Sequence, residues 1–310
     1  MNRIKRVIAR FVPRSILRCA RMAMSPYVLP RSYKDRLERY ERTEKDLFAA
    51  DAESDLALLR MYSHILDKGL HRPDWSPGHG QTTYDTAKRL LDKYARVDDP
   101  TVLWARRVIN RYEQRQMACC DKTPLPAIPV EPSPLDPEHL LRQMRYRVSS
   151  RDYENRRVDA ASIEKIVEAA LEAPWSCNRQ ALRVYASVDP ETASSALSCF
   201  KGFTSFSKFT PCVMVFCVDL RPYLVPAELF VPHLDAGLAC ANAGLMASSL
   251  GLSIVFLSWA SRTAEGERRL RTELAIPDYY EIAVGACCGY PSQNPVRPIR
   301  KPVAETLIWR

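Results

Sequence analysis

No apolar run in this sequence approaches the ~20 residues that a membrane-spanning helix needs. No two cysteines stand at CxxC spacing, although there are ten of them. Cys119-Cys120 and Cys287-Cys288 are adjacent pairs and the others are scattered, so neither a zinc ribbon nor a regular disulfide framework is expected. Reduced, buried cysteine in an intracellular protein is the plainer expectation. No GxGxxG follows a strand pattern, which excludes a dinucleotide-binding Rossmann unit. No internal repeat is present. The first 34 residues contain no acid, and their charges interrupt every apolar stretch, so a signal peptide with a continuous core is not expected.

What is present divides in the middle. Asp121 to Pro137 reads DKTPLPAIPVEPSPLDP and holds six prolines. Proline fixes φ and donates no amide hydrogen, so an extended linker is predicted there. Residues 1–120 read as a helical region. Apolar residues at helical spacing predict helices over Tyr33 to Phe48, Ser54 to Leu70, Tyr84 to Tyr94 and Thr101 to Gln114, with a turn-rich loop over His71 to Gly80.

After the linker, helix and strand patterns alternate. Asp159 is placed to cap a helix that carries Ile163, Ile166, Val167, Ala170 and Leu171 on one face. Strands are predicted over Arg183 to Val188, Cys212 to Val218, Ser253 to Leu257 and Glu281 to Cys288, with Val303 to Trp309 as one more. Leu234 to Leu250 reads as a helix that is apolar nearly all round and rich in Gly, Ala and Ser. Such a helix is buried on most sides and lets another helix approach closely.

The net charge of +9 implies an anionic partner without choosing one. Arg3, Lys5, Arg6, Arg10, Arg14, Arg18 and Arg21 precede the first acid, Asp35. Ile4, Val7, Ile8 and Phe11 share a helical face until Pro13 interrupts. The stretch reads as a basic amphipathic arm for an anionic membrane surface, or else as a solvated or RNA-binding tail. Beyond charge, no motif predicts specific nucleic-acid binding.

Three basic or polar segments carry the chemistry. In RVSSRDY, Arg147, Ser149 and Arg151 alternate, and an extended backbone points all three the same way. Two guanidiniums and a hydroxyl suit a phosphate dianion. APWSCNRQ, Ala173 to Gln180, follows a helix, and RPIRKP, Arg297 to Pro302, is a second basic cluster. Singly, such segments are more often solvated surface, turn chemistry or a basic tail.

Together and in this order they resemble the nitroreductase family over about 160 residues. The resemblance rests on Arg147, Ser149, Arg151 and Tyr153, then Ala173, Pro174, Ser176, Asn178 and Gln180. It continues through Asp235-Ala236-Gly237 and Leu250-Gly251-Leu252, and closes with Gly289-Tyr290-Pro291 and Arg300-Lys301-Pro302. Trp175 stands where a small residue is usual, and Ala181-Leu182 where Pro-Trp is usual. The segment from Val218 to His233 is short, which implies an open site or one covered by the N-terminal region.

The resemblance implies an α+β sandwich with a central, mainly antiparallel sheet flanked by helices over 138–310, preceded by the helical region 1–120 and the linker 121–137. It implies a homodimer with FMN at the subunit interface and NAD(P)H as a transient reductant. The implied cofactor residues are Arg147, Ser149, Arg151 and Arg300 at the phosphate, Trp175, Ser176 and Asn178 beside the ring or ribityl chain, and the backbone of Ser258, Trp259 and Ala260 near the ring. No catalytic acid or base and no metal ligand is expected, because the cofactor carries the chemistry.

HILDKGL, His64 to Leu70, with Gly78 and Gly80, resembles a segment found in relatives associated with polysaccharide biosynthesis. It equally fits a helix end with Gly69 as a left-handed cap. His64 and His71 have no companion ligands at metal spacing. The expectation is an FMN-dependent oxidoreductase, cytoplasmic or peripheral at the inner face of a membrane, acting on a small molecule or glycan precursor. The alternative is a membrane-peripheral scaffold of glycan assembly that keeps the fold with little redox activity.

Overall fold

The structure is a computed structural model, and it describes residues 51–72, 74–118, 131–206, 209–223, 228, 230–259, 263–293 and 296–310. The basic arm, the helix predicted over Tyr33 to Phe48, residues 121–130 of the proline-rich segment and Ala260 lie outside the described residues.

Three helices come first: α1 (Ala52–Leu70), α2 (Gln81–Lys93) and α3 (Pro100–Met117). Asp51 caps α1 by accepting from the Ser54 amide, and Asp99 caps α3 through the Thr101 amide, with Pro100 at the first helical position. Leu58, Leu59, Leu66, Leu70, Leu90, Val102 and Ile109 meet in one core. Buried Asp55 accepts at Oδ2 from Lys93 Nζ at 2.6 Å and from the Tyr94 hydroxyl at 2.7 Å.

The remaining elements run α4 (Pro137–Tyr146), α5 (Ala160–Leu171), β1 (Leu182–Ser187), α6 (Pro190–Leu197), β2 (Val213–Asp219), α7 (Val231–Ser249), β3 (Ser253–Ser258), α8 (Ala264–Glu273) and β4 (Tyr280–Gly289). The four strands form one antiparallel sheet in the order β1-β2-β4-β3. Every residue of central β2 is buried, because both faces of the sheet are covered. Met214, Phe216 and Val218 point to the side of α5 and α7. Val213, Val215 and Cys217 point to the side of α6 and α8. Period-2 alternation explains the division. The result is an α+β sandwich of helices, sheet and helices.

Asp159 caps α5 as expected, accepting from the Ser162 amide at 2.7 Å. The helix α7 stops at Leu250-Gly251-Leu252. Gly251 takes φ +73° and the Leu252 amide returns to the Ala247 carbonyl at 2.9 Å, a left-handed stop that a side chain would strain. The strand expected over Val303 to Trp309 does not form. A single 3-10 turn, Val303–Glu305, stands there. Gly69 is not a left-handed cap. The helix α1 continues through Leu70, and Gly69 instead faces the His79 ring, which a Cβ would meet at 3.5 Å.

Candidate functional site

A cavity of about 640 Å³ lies among α4, α7 and the sheet. Met144, Ala236, Gly237, Phe256 and Val284 make it apolar, and Arg147, His233 and the Cys240 thiol are its polar lining. Its size falls in the range of small-molecule and cofactor sites, about 300–1,000 Å³. Arg147 follows the last turn of α4 and lays its side chain against α7 at Gly244. Among the described residues its guanidinium has no ion pair or hydrogen bond. A half-buried, uncompensated cation on an apolar wall is suited to an anionic ligand. His233 sits in the first turn of α7 with Nε2 3.5 Å from the buried carboxylate of Glu281.

RVSSRDY is fixed by its other members. The Ser150 amide donates to Ser253 Oγ at 2.7 Å, and that hydroxyl donates to the Val148 carbonyl at 2.9 Å. The buried Tyr153 hydroxyl donates to the Ser150 carbonyl at 2.8 Å and reaches the Cys287 carbonyl at 3.2 Å. The segment therefore lies beside the start of β3 and the end of β4. Ser149 is half-buried there and Arg151 is exposed.

The Ala173 to Gln180 segment forms a tight turn at the head of α7. The Ser176 amide donates to Asp235 Oδ1 at 3.2 Å, and Tyr223 donates to Asp235 Oδ2 at 2.8 Å. Burial pushes the Asp235 carboxyl up, and these two donors only partly offset it. Trp175 donates its indole hydrogen to the Leu171 carbonyl at 2.8 Å and packs on the α5–α7 core. Cys177, Asn178 and Gln180 take φ of +49°, +56° and +51°. Such left-handed non-glycine residues cost about 1–2 kcal/mol each, least for Asn, so their surroundings must hold them. The Gln180 side-chain amide donates to Asn178 Oδ1 at 2.8 Å.

Arg179, which the motif leaves unspecified, organises this turn. It is 3% exposed, donates to the Pro222 carbonyl at 2.9 Å and to Ser176 Oγ at 3.1 Å, and pairs with Glu228 at 2.6 Å. Sequence reasoning had no signal for it, since its acidic partner is 49 residues away.

The other expected residues lie apart. Ser258 is exposed at the end of β3, and its carbonyl accepts from the Lys201 amide at 3.3 Å. The Trp259 side chain turns into the core against Phe200, with ring centroids 4.7 Å apart. Arg300 is on the exposed tail, donating to the Pro298 and Ile299 carbonyls at 3.1 and 3.2 Å. Among the described residues no hydrogen bond or ion pair joins Arg300 to Arg147. One chain thus brings Ser176, Asn178 and Trp175 together, places Arg147 on the cavity and leaves Arg300 in solvent.

The described cysteines are all free. Burial pushes the thiols of Cys212, Cys240 and Cys287 up to about 12, which leaves them protonated and unreactive near neutrality. Among the described residues no group of three or more His, Cys, Asp or Glu could hold a metal ion. No helix among them is long and apolar enough to cross a membrane.

Residues 144–202, from the end of α4 through the Asn178 turn to β1 and α6, match the family model described as the nitroreductase family. Over these residues the chain is similar to the nitroreductase family. The chain is also 29% identical over 160 residues to a protein of Archaeoglobus fulgidus named as a candidate NADH dehydrogenase/NAD(P)H nitroreductase, an alignment spanning 51% of this chain and 88% of that one. Among solved structures, the chain is similar to a nitroreductase from Desulfovibrio desulfuricans described in complex with FMN, at 24% identity and a TM-score of 0.48, over 57% of this chain and 98% of that one. It is similar to an FMN-dependent nitroreductase from Clostridium difficile R20291 at 23% identity and a TM-score of 0.46, over 54% and 96% of the two chains.

Proposed function

We propose that the nitroreductase region binds FMN in the cavity beside Arg147 and acts as an oxidoreductase reduced by NAD(P)H, in a homodimer. The observation that carries this reading is the Arg147 guanidinium, without an ion pair among the described residues, on the wall of an apolar cavity of cofactor size. A planar, apolar ring with a phosphate tail matches both features. Arg147, Ser149 and Arg151 would hold the phosphate, joined by Arg300. Trp175, Ser176 and Asn178 would border the ring or ribityl chain, and the backbone of Ser258, Trp259 and Ala260 would approach the ring. When bound, FMN supplies a two-electron carrier. The chain's own residues position it and keep water from its face, and no side chain is assigned as acid or base.

The homodimer is supported by surfaces left open in one chain. Leu234, Gly237, Leu238, Ala241 and Leu245 follow i, i+3, i+4, i+7, i+11 spacing along α7 and line one apolar stripe; Leu234 is 60% exposed. Leu140, Leu141 and Met144 of α4 are exposed as well, and so are Ile299, Ile308 and Trp309 of the tail. A second copy would cover the stripe, and its tail would supply Arg300 across the two-fold axis.

The test is the absorption spectrum of the purified full chain. Yellow protein that releases FMN on denaturation and is reoxidised after NAD(P)H reduction supports the enzyme. Colourless protein that takes up no added FMN supports the scaffold of glycan assembly instead. The link to polysaccharide biosynthesis rests on His64 to Leu70, which packs on the Gly78 and Gly80 turn. A glycan-precursor substrate, a cytoplasmic location and attachment of the basic arm to an anionic inner membrane surface belong to the same proposal.

A further inference from the structure

We infer that the three-helix bundle Ala52–Met117 is a clamp that holds the Ser176–Gln180 turn in its left-handed conformation, with Arg60 as the positioning residue; its bearing on flavin binding rests on the FMN reading above. The family match begins at residue 144, after the bundle has ended, so the clamp adds to what the matched region contains.

The turn is caught from two sides. Its own domain supplies Asp235 beneath the Ser176 amide and buried Arg179 beside it. The bundle supplies the other half. Arg60, in the middle of α1, donates Nε to the Arg179 carbonyl at 3.0 Å and Nη1 to Thr101 Oγ1 at 2.9 Å. The guanidinium thereby ties α1 and the first turn of α3 to the carbonyl between Asn178 and Gln180. Cys177, at the apex, packs its side chain against the bundle's leucine core rather than its own domain's core. Three of the four non-glycine residues at positive φ among the described residues are in this turn, so it is the backbone with the strongest tendency to relax.

Further contacts fix where α1 stands. Glu53 pairs with Arg183 at 2.7 Å and accepts from the Tyr280 hydroxyl, and Asp51 pairs with Arg221 at 2.7 Å. These anchor the start of α1 to β1, β4 and the end of β2. Arg60 then reaches the turn about two helical turns further along. A bundle that merely rode on the domain would need the anchors but not the bond to a carbonyl inside a strained turn.

The test uses the full chain without flavin first. Amide hydrogen exchange is measured by mass spectrometry over 176–180 in the wild type, Arg60→Met, Arg60→Lys, Thr101→Val and a control, Lys88→Ala, whose side chain pairs with Asp92 and Glu113 away from the turn. Circular dichroism establishes that each variant is folded. Arg60→Met is expected to raise exchange in the turn roughly tenfold, the scale of one lost hydrogen bond. Thr101→Val should raise it less, Arg60→Lys should restore part of the protection, and Lys88→Ala should change nothing. Unchanged exchange in folded Arg60→Met overturns the clamp; if that variant does not fold, unchanged exchange in Thr101→Val does so. FMN titration of the same proteins follows. Weakening of roughly tenfold in Arg60→Met supports the clamp's role in cofactor binding, and unchanged affinity despite a loosened turn overturns that role. A wild type that binds no FMN, with exchange still rising in Arg60→Met, removes the flavin reading and upholds the clamp on the turn.

Discussion

A Cβ on Gly244 would lie 3.0 Å from Cδ of Arg147. The bare backbone of α7 at this point lets the arginine lie flat along the cavity wall. Gly244→Ala should push the Arg147 side chain aside by a few tenths of an ångström and weaken FMN binding several-fold. Alanine is favoured over glycine in a helix by about 0.5–1 kcal/mol, which offsets the contact. Thermal stability should therefore hold or rise while affinity falls. Affinity equal to wild type would show that Arg147 does not need this placement.

Gly289 opens the Gly-Tyr-Pro landmark, and its role is packing. An added Cβ would lie 2.2 Å from Pro211 Cγ and 2.9 Å from Tyr153 Cδ1. Gly289→Ala must displace a rigid ring, so it should destabilise by about 1–3 kcal/mol. Urea denaturation checks this, and a midpoint within error of wild type would count against it.

The apolar stripe on α7 predicts its own disruption. Leu234→Glu and Leu238→Glu should shift sedimentation from dimer to monomer, because each burial contributes about 1.5–3 kcal/mol in the assembled state. The double variant should also lose FMN, whose site is shared by the two chains in the proposed assembly. A wild type that sediments as a monomer at micromolar concentration would remove the shared site.

Asp51 gives a pH dependence. Burial alone would raise its carboxyl, but the hydrogen bonds from Arg221 and the Ser54 amide outweigh it and leave the group below its ordinary value of 3.8. A depressed folded value contributes stability that is complete above the unfolded value and is lost as pH falls through the folded one. Asp51→Asn should thus lower the urea midpoint at pH 6 and match wild type well below pH 3.8. A difference that persists unchanged in acid would rule out the carboxylate as its source.

Much of this architecture was legible in the sequence. All four strands were read within a residue of their ends, and Asp159 marked the start of α5. The helices α4 and α6 escape periodicity because both are short and begin at proline. Asp136 accepts from the Glu138 and His139 amides and Asp189 from the Thr192 amide, so Pro137 and Pro190 open these helices instead of ending them. The helix α8 is nearly all polar, with Leu270 its single buried residue. Within the site, RVSSRDY and Ala173 to Gln180 were legible as motifs. Their division of labour was not. Tyr153 and Ser150 hold the fold while Arg147 faces the cavity, and only tertiary contacts separate those roles. Arg60 and Arg179 were illegible for the same reason, since a lone arginine carries no mark of a carbonyl or carboxylate far along the chain.

FMN titration of the full-length protein, followed by fluorescence and completed by equilibrium dialysis, tests the flavin site most directly. One FMN should bind per protomer. In Arg147→Ala the affinity should fall roughly 10- to 150-fold, the equivalent of about 1.5–3 kcal/mol for a hydrogen bond to a charged group. Wild-type protein that takes up no FMN, or an Arg147→Ala variant that binds it as tightly as wild type, would contradict the assignment of this cavity.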